Sequence, residues 1–197
     1  MPRLFAALEI PHHAATHMSM LRGGLPGARW IDMENYHLTL RFIGDIEHHM
    51  ADEIAHALER VHRRPFSLGL SGLGAFGGKK PHSLFAVPTA SPDLIDLQAE
   101  IARICRRLGL APDPRKFTPH VTLARLRNVT PQAVANYLSV RGGFFVPSFK
   151  VEHFTLMSSR DSVGGGPYIV EESYPLSRDS FPASTAASAA APAFMSQ

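Results

Sequence analysis

The sequence predicts an α+β fold, and three observations carry that expectation. Short apolar runs of strand length alternate with longer stretches of helical spacing. The order of elements runs through the chain twice. A tetrapeptide of strand character, His-hydrophobic-Thr-hydrophobic, stands once in each run, at His37-Leu38-Thr39-Leu40 and His120-Val121-Thr122-Leu123, 83 residues apart.

The first apolar run, 4–10, stops at Pro11 and predicts a buried strand. Pro11 suits the first turn of a helix reaching about Arg22, after which Gly23, Gly24, Pro26 and Gly27 break the chain. Trp30 leads into a strand over 36–43, closed by Gly44-Asp45. Ile54, Leu58 and Val61 at helical spacing predict a helix over 47–61. Residues 66–70 and 83–87 read as strands, with Gly72, Gly74, Gly77, Gly78 and Lys79-Lys80 between them as a flexible basic loop. Ser91, Pro92 and Asp93 start a helix whose apolar face is Leu94, Leu97, Ile101, Ile104 and Leu108, with Gly109 as its stop. A loop with Pro112 and Pro114 delivers a strand over 117–126. Thr130-Pro131 opens a helix to about Val140, and 149–157 and 168–174 close as strands around Gly164-Gly165-Gly166-Pro167. The last stretch, 178–197, is rich in Ala, Ser and Pro without a charge after Asp179, and is expected to be a disordered tail outside a domain of residues 1–177.

At 197 residues, 45% hydrophobic, the chain can bury a real core as one domain or two fused half-domains. The single cysteine, Cys105, rules out an internal disulfide framework and fits a reducing compartment; it lies in a helical pattern, where a buried small hydrophobe is the plain reading. No stretch approaches the ~18 apolar residues of a membrane span. Residues 1–10 carry Glu9 inside the apolar run and read as a first strand rather than a signal peptide. A cytoplasmic monomer without a membrane partner is expected. A net charge of +3 suits a phosphate-bearing partner but falls far short of a nucleic-acid coat.

Side chains alternate between the faces of a strand. His37 and Thr39 therefore share one face and Leu38 and Leu40 the other, and the same holds for the second copy. Two imidazoles brought together supply a general acid and a general base, which suits phosphoryl transfer without a metal or other cofactor. Eleven histidines make coincidence a concern. His17-Met18-Ser19 falls in a helical pattern, where i and i+2 diverge. His153-Phe154-Thr155-Leu156 matches the full template, and only context separates it: His37 and His120 sit between helices with Arg41 and Arg125 following, whereas His153 lies in the closing strand beside Glu152. His13 with His17, and His49, Glu53 and His56, invite a metal reading, but without His-Glu-x-x-His or cysteine ligands they read as exposed helix positions.

Asn35-Tyr36-His37-Leu38-Thr39-Leu40-Arg41-Phe42-Ile43-Gly44 and Phe117-Thr118-Pro119-His120-Val121-Thr122-Leu123-Ala124-Arg125 resemble the two signature motifs of the 2H phosphoesterases, and most of all the bacterial and archaeal RNA 2',3'-cyclic phosphodiesterases first described as 2'-5' RNA ligases. The resemblance spans roughly residues 3–177, taking in Leu4-Phe5-Ala6-Ala7, Gly166-Pro167-Tyr168-Ile169-Val170 and Tyr174-Pro175-Leu176. It implies two similar lobes of mostly antiparallel sheet with helices outside, related by a pseudo-two-fold axis across an active-site cleft. It implies His37, Thr39, His120 and Thr122 as the catalytic quartet, with His37 the proton donor and His120 the base; the residues alone leave the two roles interchangeable. The expected reaction is hydrolysis of an RNA 2',3'-cyclic phosphate end to a 2'-phosphate end, reversible as ligation without ATP. Phe42 to stack a base, Arg125 to hold phosphate and Tyr168 to line the cleft are substrate-binding candidates, and Lys79-Lys80 and Arg115-Lys116 are candidate guides of an RNA backbone or plain solvated charges. The competing readings are an RNA-end-binding module with vestigial catalysis, and a phosphodiesterase of the same superfamily acting on small cyclic nucleotides.

Overall fold

The computed structural model describes residues 3–159 and 167–177. The expected tail over 178–197 and the glycines 164–166 lie outside the described residues. Nine strands are β1 Arg3–Glu9, β2 Ala28–Trp30, β3 His37–Asp45, β4 Phe66–Phe76, β5 Ser83–Pro88, β6 Val121–Leu126, β7 Phe145–Val151, β8 His153–Ser159 and β9 Tyr168–Pro175. Four helices are α1 His12–Ser19, α2 His48–Leu58, α3 Pro92–Arg107 and α4 Pro131–Arg141. All nine strands join one sheet in the order β7-β4-β5-β6-β3-β1-β8-β9, with β2 paired to the end of β6. Its ladders are antiparallel.

The α+β fold expected from the sequence is present, and its two lobes are the two ends of this sheet. One holds β3, β1, β8 and β9; the other holds β6, β5, β4 and β7. They meet where β3 and β6 touch, at Leu38 opposite Val121. The segment β1-α1-β3-α2 matches β5-α3-β6-α4 in order and in place, each putting a motif strand at the joint with its own partner strand outside it.

The lobes do not divide the chain where its halves do. Strands β4 and β5, which follow the first motif in sequence, belong to the lobe of the second. The strand expected over 149–157 is two strands, because Glu152 is the crossing point: β7 pairs with β4 in one lobe and β8 with β1 in the other. The expected flexible loop after residue 70 is strand as far as Phe76, with Gly72 and Gly74 inside β4 and only Gly77 and Gly78 left in the turn, and the β4–β5 ladder runs to Phe76 opposite Ser83. Sequence patterning passed over β2, and residues 117–120 precede β6 rather than forming part of it.

Leu38, Leu40, Val121 and Leu123 are at most 2% exposed and belong to one large core together with Ala14 and Met18 of α1, Ile54 of α2, Leu94 and Ile101 of α3 and Val134 of α4. The helices therefore cover the apolar face of the motifs, and the face carrying the imidazoles is left for a ligand. Cys105 is part of that core, buried in α3. Helix α3 starts where its sequence says it should: the Ser91 hydroxyl accepts from the Leu94 amide at 3.2 Å with Pro92 as first residue. Thr130 does the same for the Ala133 amide of α4.

Leu38→Ala should cost about 3 kcal/mol, since it empties a fully buried site at the joint of both lobes. Ser91→Ala should cost about 1 kcal/mol through one lost cap. Urea denaturation of the two variants checks the ranking, which equal losses would contradict.

Candidate functional site

Each imidazole is held by the backbone two residues before it. The His37 Nδ1–H donates to the Asn35 carbonyl at 2.9 Å, and the His120 Nδ1–H to the Thr118 carbonyl at 2.8 Å. A carbonyl only accepts, so Nδ1 carries the proton in both rings and Nε2 is left to act. The register then arranges the quartet. With Leu38 opposite Val121 in an antiparallel pair, His37 lies across from Thr122 and Thr39 across from His120. The two histidines occupy the diagonal of that square, where Cα atoms stand roughly 7–8 Å apart.

Aromatic rings flank both imidazoles, and they do so in equivalent ways. Phe5 of β1 lies 5.0 Å from the His37 ring and Tyr168 of β9 meets it edge-on at 4.7 Å. Phe85 of β5 lies 5.4 Å from the His120 ring and Phe76 of β4 meets it edge-on at 4.9 Å. The Phe85 ring overlies Gly74, where a Cβ would come within 2.6 Å of ring carbons. Taking water from an imidazole disfavours its charged form. Burial accordingly pushes His37 down to about 4, against the pull of the Asn35 carbonyl, with His120 and Arg125 adding smaller repulsions. His120 is lowered too, chiefly by burial and then by Arg125 and Arg115, against the pull of the Thr118 carbonyl.

Arg125 acts on both rings although strict alternation would turn it away from His120. A bulge explains this. Along β6, Thr122 pairs with Phe85 but Ala124 with Leu84, so Leu123 is the extra residue and both Leu123 and Ala124 turn inward. Arg125 then returns to the face of Thr122 and is exposed. β3 does the same one lobe away: Ala7 pairs with Thr39 and Ala6 with Arg41, leaving Leu40 as the extra residue. Phe42 is thereby brought to the motif face, 48% exposed, and Arg41 is turned into the interior at 7%. Phe42 and Arg125 are equivalent positions of the two lobes.

Arg41, expected beside the motif by sequence position, is instead a buried strut. Its guanidinium donates to the Ala111 carbonyl and lies 4.0 Å from the Asp113 carboxylate, tying β3 to the loop that delivers His120. Lys79 and Lys80 sit on the β4–β5 turn, and Arg115, 3.6 Å from Asp113, stands on the loop before His120. The third copy of the template lands on the same sheet face but stands apart from the pair. Glu9, opposite His37 on β1, is 3.1 Å from His153 Nε2, and Thr155 is fully buried, donating to the Ala7 carbonyl at 3.3 Å. Sequence reasoning missed Phe5, Phe76, Phe85 and the two carbonyls. Phe85 left a signal in the alternation of β5, whereas Phe76 was hidden among glycines. Among the described residues no group of three His, Cys, Asp or Glu side chains could hold a metal ion, and no helix is long and apolar enough to cross a membrane.

Comparison with known proteins concerns the family and the fold. A profile of the 2'-5' RNA ligase superfamily matches residues 11–162. The RNA 2',3'-cyclic phosphodiesterase of Aeropyrum pernix is 33% identical over 144 residues, 72% of this chain and 81% of that protein. The RNA 2',3'-cyclic phosphodiesterase of Aquifex aeolicus is 32% identical over 156 residues, 74% of this chain and 81% of that one. TT0787 of Thermus thermophilus superposes with a TM-score of 0.73 at 25% identity over 88% of this chain and 97% of its own. E. coli LigT superposes at 0.75 with 24% identity over 89% and 99%, a likeness of fold.

The lowered affinity of His37 for a proton has a consequence for stability. An unfolded histidine takes up its proton near pH 6.5 and the folded one only near 4, so the unfolded chain binds more protons between those values. Stability is full above about pH 6.5 and falls as the pH drops toward 4. His37→Asn should flatten that decline, measured as urea midpoints from pH 7.5 to 4; an equally steep decline in the variant would remove the burial argument.

Proposed function

The chain belongs to the 2'-5' RNA ligase superfamily, and from that premise we propose that it hydrolyses RNA 2',3'-cyclic phosphate ends to 2'-phosphate ends by two-histidine acid–base catalysis. The observation that carries the proposal is the pair of imidazoles, each fixed by an i−2 carbonyl in the tautomer that turns Nε2 outward, set diagonally across one antiparallel joint. The relatives from Aeropyrum and Aquifex are RNA 2',3'-cyclic phosphodiesterases, which supports the same reaction here.

In this reading the cyclic phosphate sits between the rings. His120 Nε2 takes a proton from water as its oxygen bonds to phosphorus, the P–O3' bond breaks on the opposite side, and His37 Nε2–H protonates the leaving 3' oxygen. Thr39 and Thr122 hydroxyls donate to the non-bridging oxygens, and Arg125 offsets the charge that grows on them. Burial keeps the empty site short of protons, and the arriving phosphate anion draws one in, so the ligand itself makes the acid. The protonated ring is a strong acid for the same reason that it is reluctant to form. Phe42 and Tyr168 line the side of His37, where a nucleoside would lie. With the hydroxyl of a second RNA end in place of water, the same positions form its bond to phosphorus as P–O3' breaks and the 3' oxygen is protonated, which is 2'-5' ligation without a nucleotide cofactor.

His37→Ala and His120→Ala should each lower kcat on a 2',3'-cyclic nucleotide by roughly 10³-fold with the fold intact, and Thr39→Val or Thr122→Val by roughly 10²-fold. EDTA should leave the rate unchanged. Full turnover in either histidine variant would overturn the mechanism, and no turnover in the natural protein would favour an end-binding module. The pH profile adds a second check. The kcat/KM bell reports the empty enzyme and should centre below pH 6.5, with the kcat bell displaced upward by the bound phosphate. Coincident bells would mean that the phosphate does not sit between the rings.

A further inference from the structure

The two flanks of the site differ in charge in a way that the pairing of the lobes does not require. None of β2, β4, β5, β6 or β7 contains an aspartate or glutamate; residues 10–31, 60–92 and 114–151 are free of both. The bulge in β6 that brings Arg125 to the motif face also sets it opposite Arg29 of β2 and Ser83 of β5, and Ser83 is opposite Phe76 of β4. Side chains paired in this way share a face. One row thus runs from Phe76, which touches His120, through Ser83 and Arg125 to Arg29.

Beyond that row the sheet ends in more cations. The β4–β5 turn is built rather than loose. The Lys80 amide donates to the Gly77 carbonyl at 2.7 Å and the His82 amide to the Phe76 carbonyl at 3.0 Å. Gly77 has φ +106°, and a Cβ there would stand 2.2 Å from the Lys80 carbonyl oxygen. The turn is fastened to β6 by the Leu126 amide donating to the His82 carbonyl at 2.9 Å. Lys79 and Lys80 are therefore presented beside Arg125 and Arg127, and all four are exposed. Among the described residues none of the four belongs to an ion pair.

The other flank is acidic. A hollow of about 220 Å³ opens beside His37, lined among others by Glu9, Glu34, His12, Tyr168 and Met157. Carboxylates there repel a polyanion. A phosphodiester chain attached to a group between the imidazoles has one electrostatically open way out.

We propose that the row and turn formed by Arg29, Lys79, Lys80, Arg125 and Arg127 are a track for the phosphodiester backbone of single-stranded RNA. The track carries the chain away from the reacting end over β6, β2 and the β4–β5 turn, and it makes the substrate an oligonucleotide end rather than a small cyclic nucleotide. This inference rests on the cyclic-phosphate reading above. Lys79 and Lys80, read from sequence as guides or solvated charges, act on this account as guides.

The test uses a hexanucleotide ending in 2'-phosphate, which is bound but not turned over, and kcat/KM for a cyclic-phosphate hexanucleotide against a 2',3'-cyclic mononucleotide. Five cations on a single strand give a slope of about −3.5 in the logarithm of affinity against the logarithm of salt, about −0.7 for each. Lys79→Gln with Lys80→Gln should make that slope shallower by about 1.4. The same pair should reduce the hexanucleotide-to-mononucleotide ratio of kcat/KM about tenfold. Equal kcat/KM for the two substrates in the natural protein at low salt, or a slope unchanged in the double variant, would overturn the track. Tight, salt-sensitive binding of the hexanucleotide without hydrolysis of either substrate would support the track and reject the cyclic-phosphate reading instead.

Discussion

The site depends on how two strands of one sheet are registered where they meet. With Leu38 opposite Val121, each motif's histidine faces the other motif's threonine, and the local two-fold of an antiparallel pair becomes the symmetry of the site. A slip by one residue would exchange faces, sending Leu38 and Val121 to the ligand side and both imidazoles into the core. The register is therefore held by burial of the intervening leucines and valine, all essentially inaccessible, against helices from both lobes. Packing and chemistry are alternate residues of the same two tetrapeptides.

Small departures from regular geometry supply what the register cannot. A β-bulge after each threonine reverses the alternation, and the two lobes use it for different ends: Phe42 offers an exposed ring on one side and Arg125 a charge on the other. The same bulge turns Arg41 inward, where its long side chain reaches the loop ahead of His120. The carbonyls of Asn35 and Thr118 fix the tautomers, and the aromatic pairs Phe5 with Tyr168 and Phe76 with Phe85 remove water from the rings. Orientation and dryness come from the scaffold; the tetrapeptides supply the imidazoles and hydroxyls on which the proposed chemistry rests.

Much of this is legible in the sequence, and what escapes does so for physical reasons. Ser91-Pro92 and Thr130-Pro131 announce their helices because a cap is a local interaction. The period-two pattern of both motifs gives strand and face together. The partition into lobes is not local: nothing in residues 149–157 says that the chain changes lobe at Glu152, because that is decided by which edge strand lies open to it. The strand through Gly72 and Gly74 reads as a loop since the glycines lack a side chain, yet Gly74 is needed there to seat the Phe85 ring. Bulges escape because they show only in the pairing of two distant segments. His153-Phe154-Thr155-Leu156 fits the template as well as the other two, and its place beyond Glu9 and the burial of Thr155 set it apart.

The central claim is that the two imidazoles address one phosphate through their Nε2 atoms. It is tested most directly by ¹⁵N NMR of histidine-labelled protein titrated with inorganic phosphate, with His37 and His120 assigned from their asparagine variants. The account predicts a protonated Nδ1 and bare Nε2 on both rings in the empty protein, and a rise in the proton affinity of both at one shared phosphate stoichiometry. A protonated Nε2 on either empty ring, or a response confined to one histidine, would contradict it.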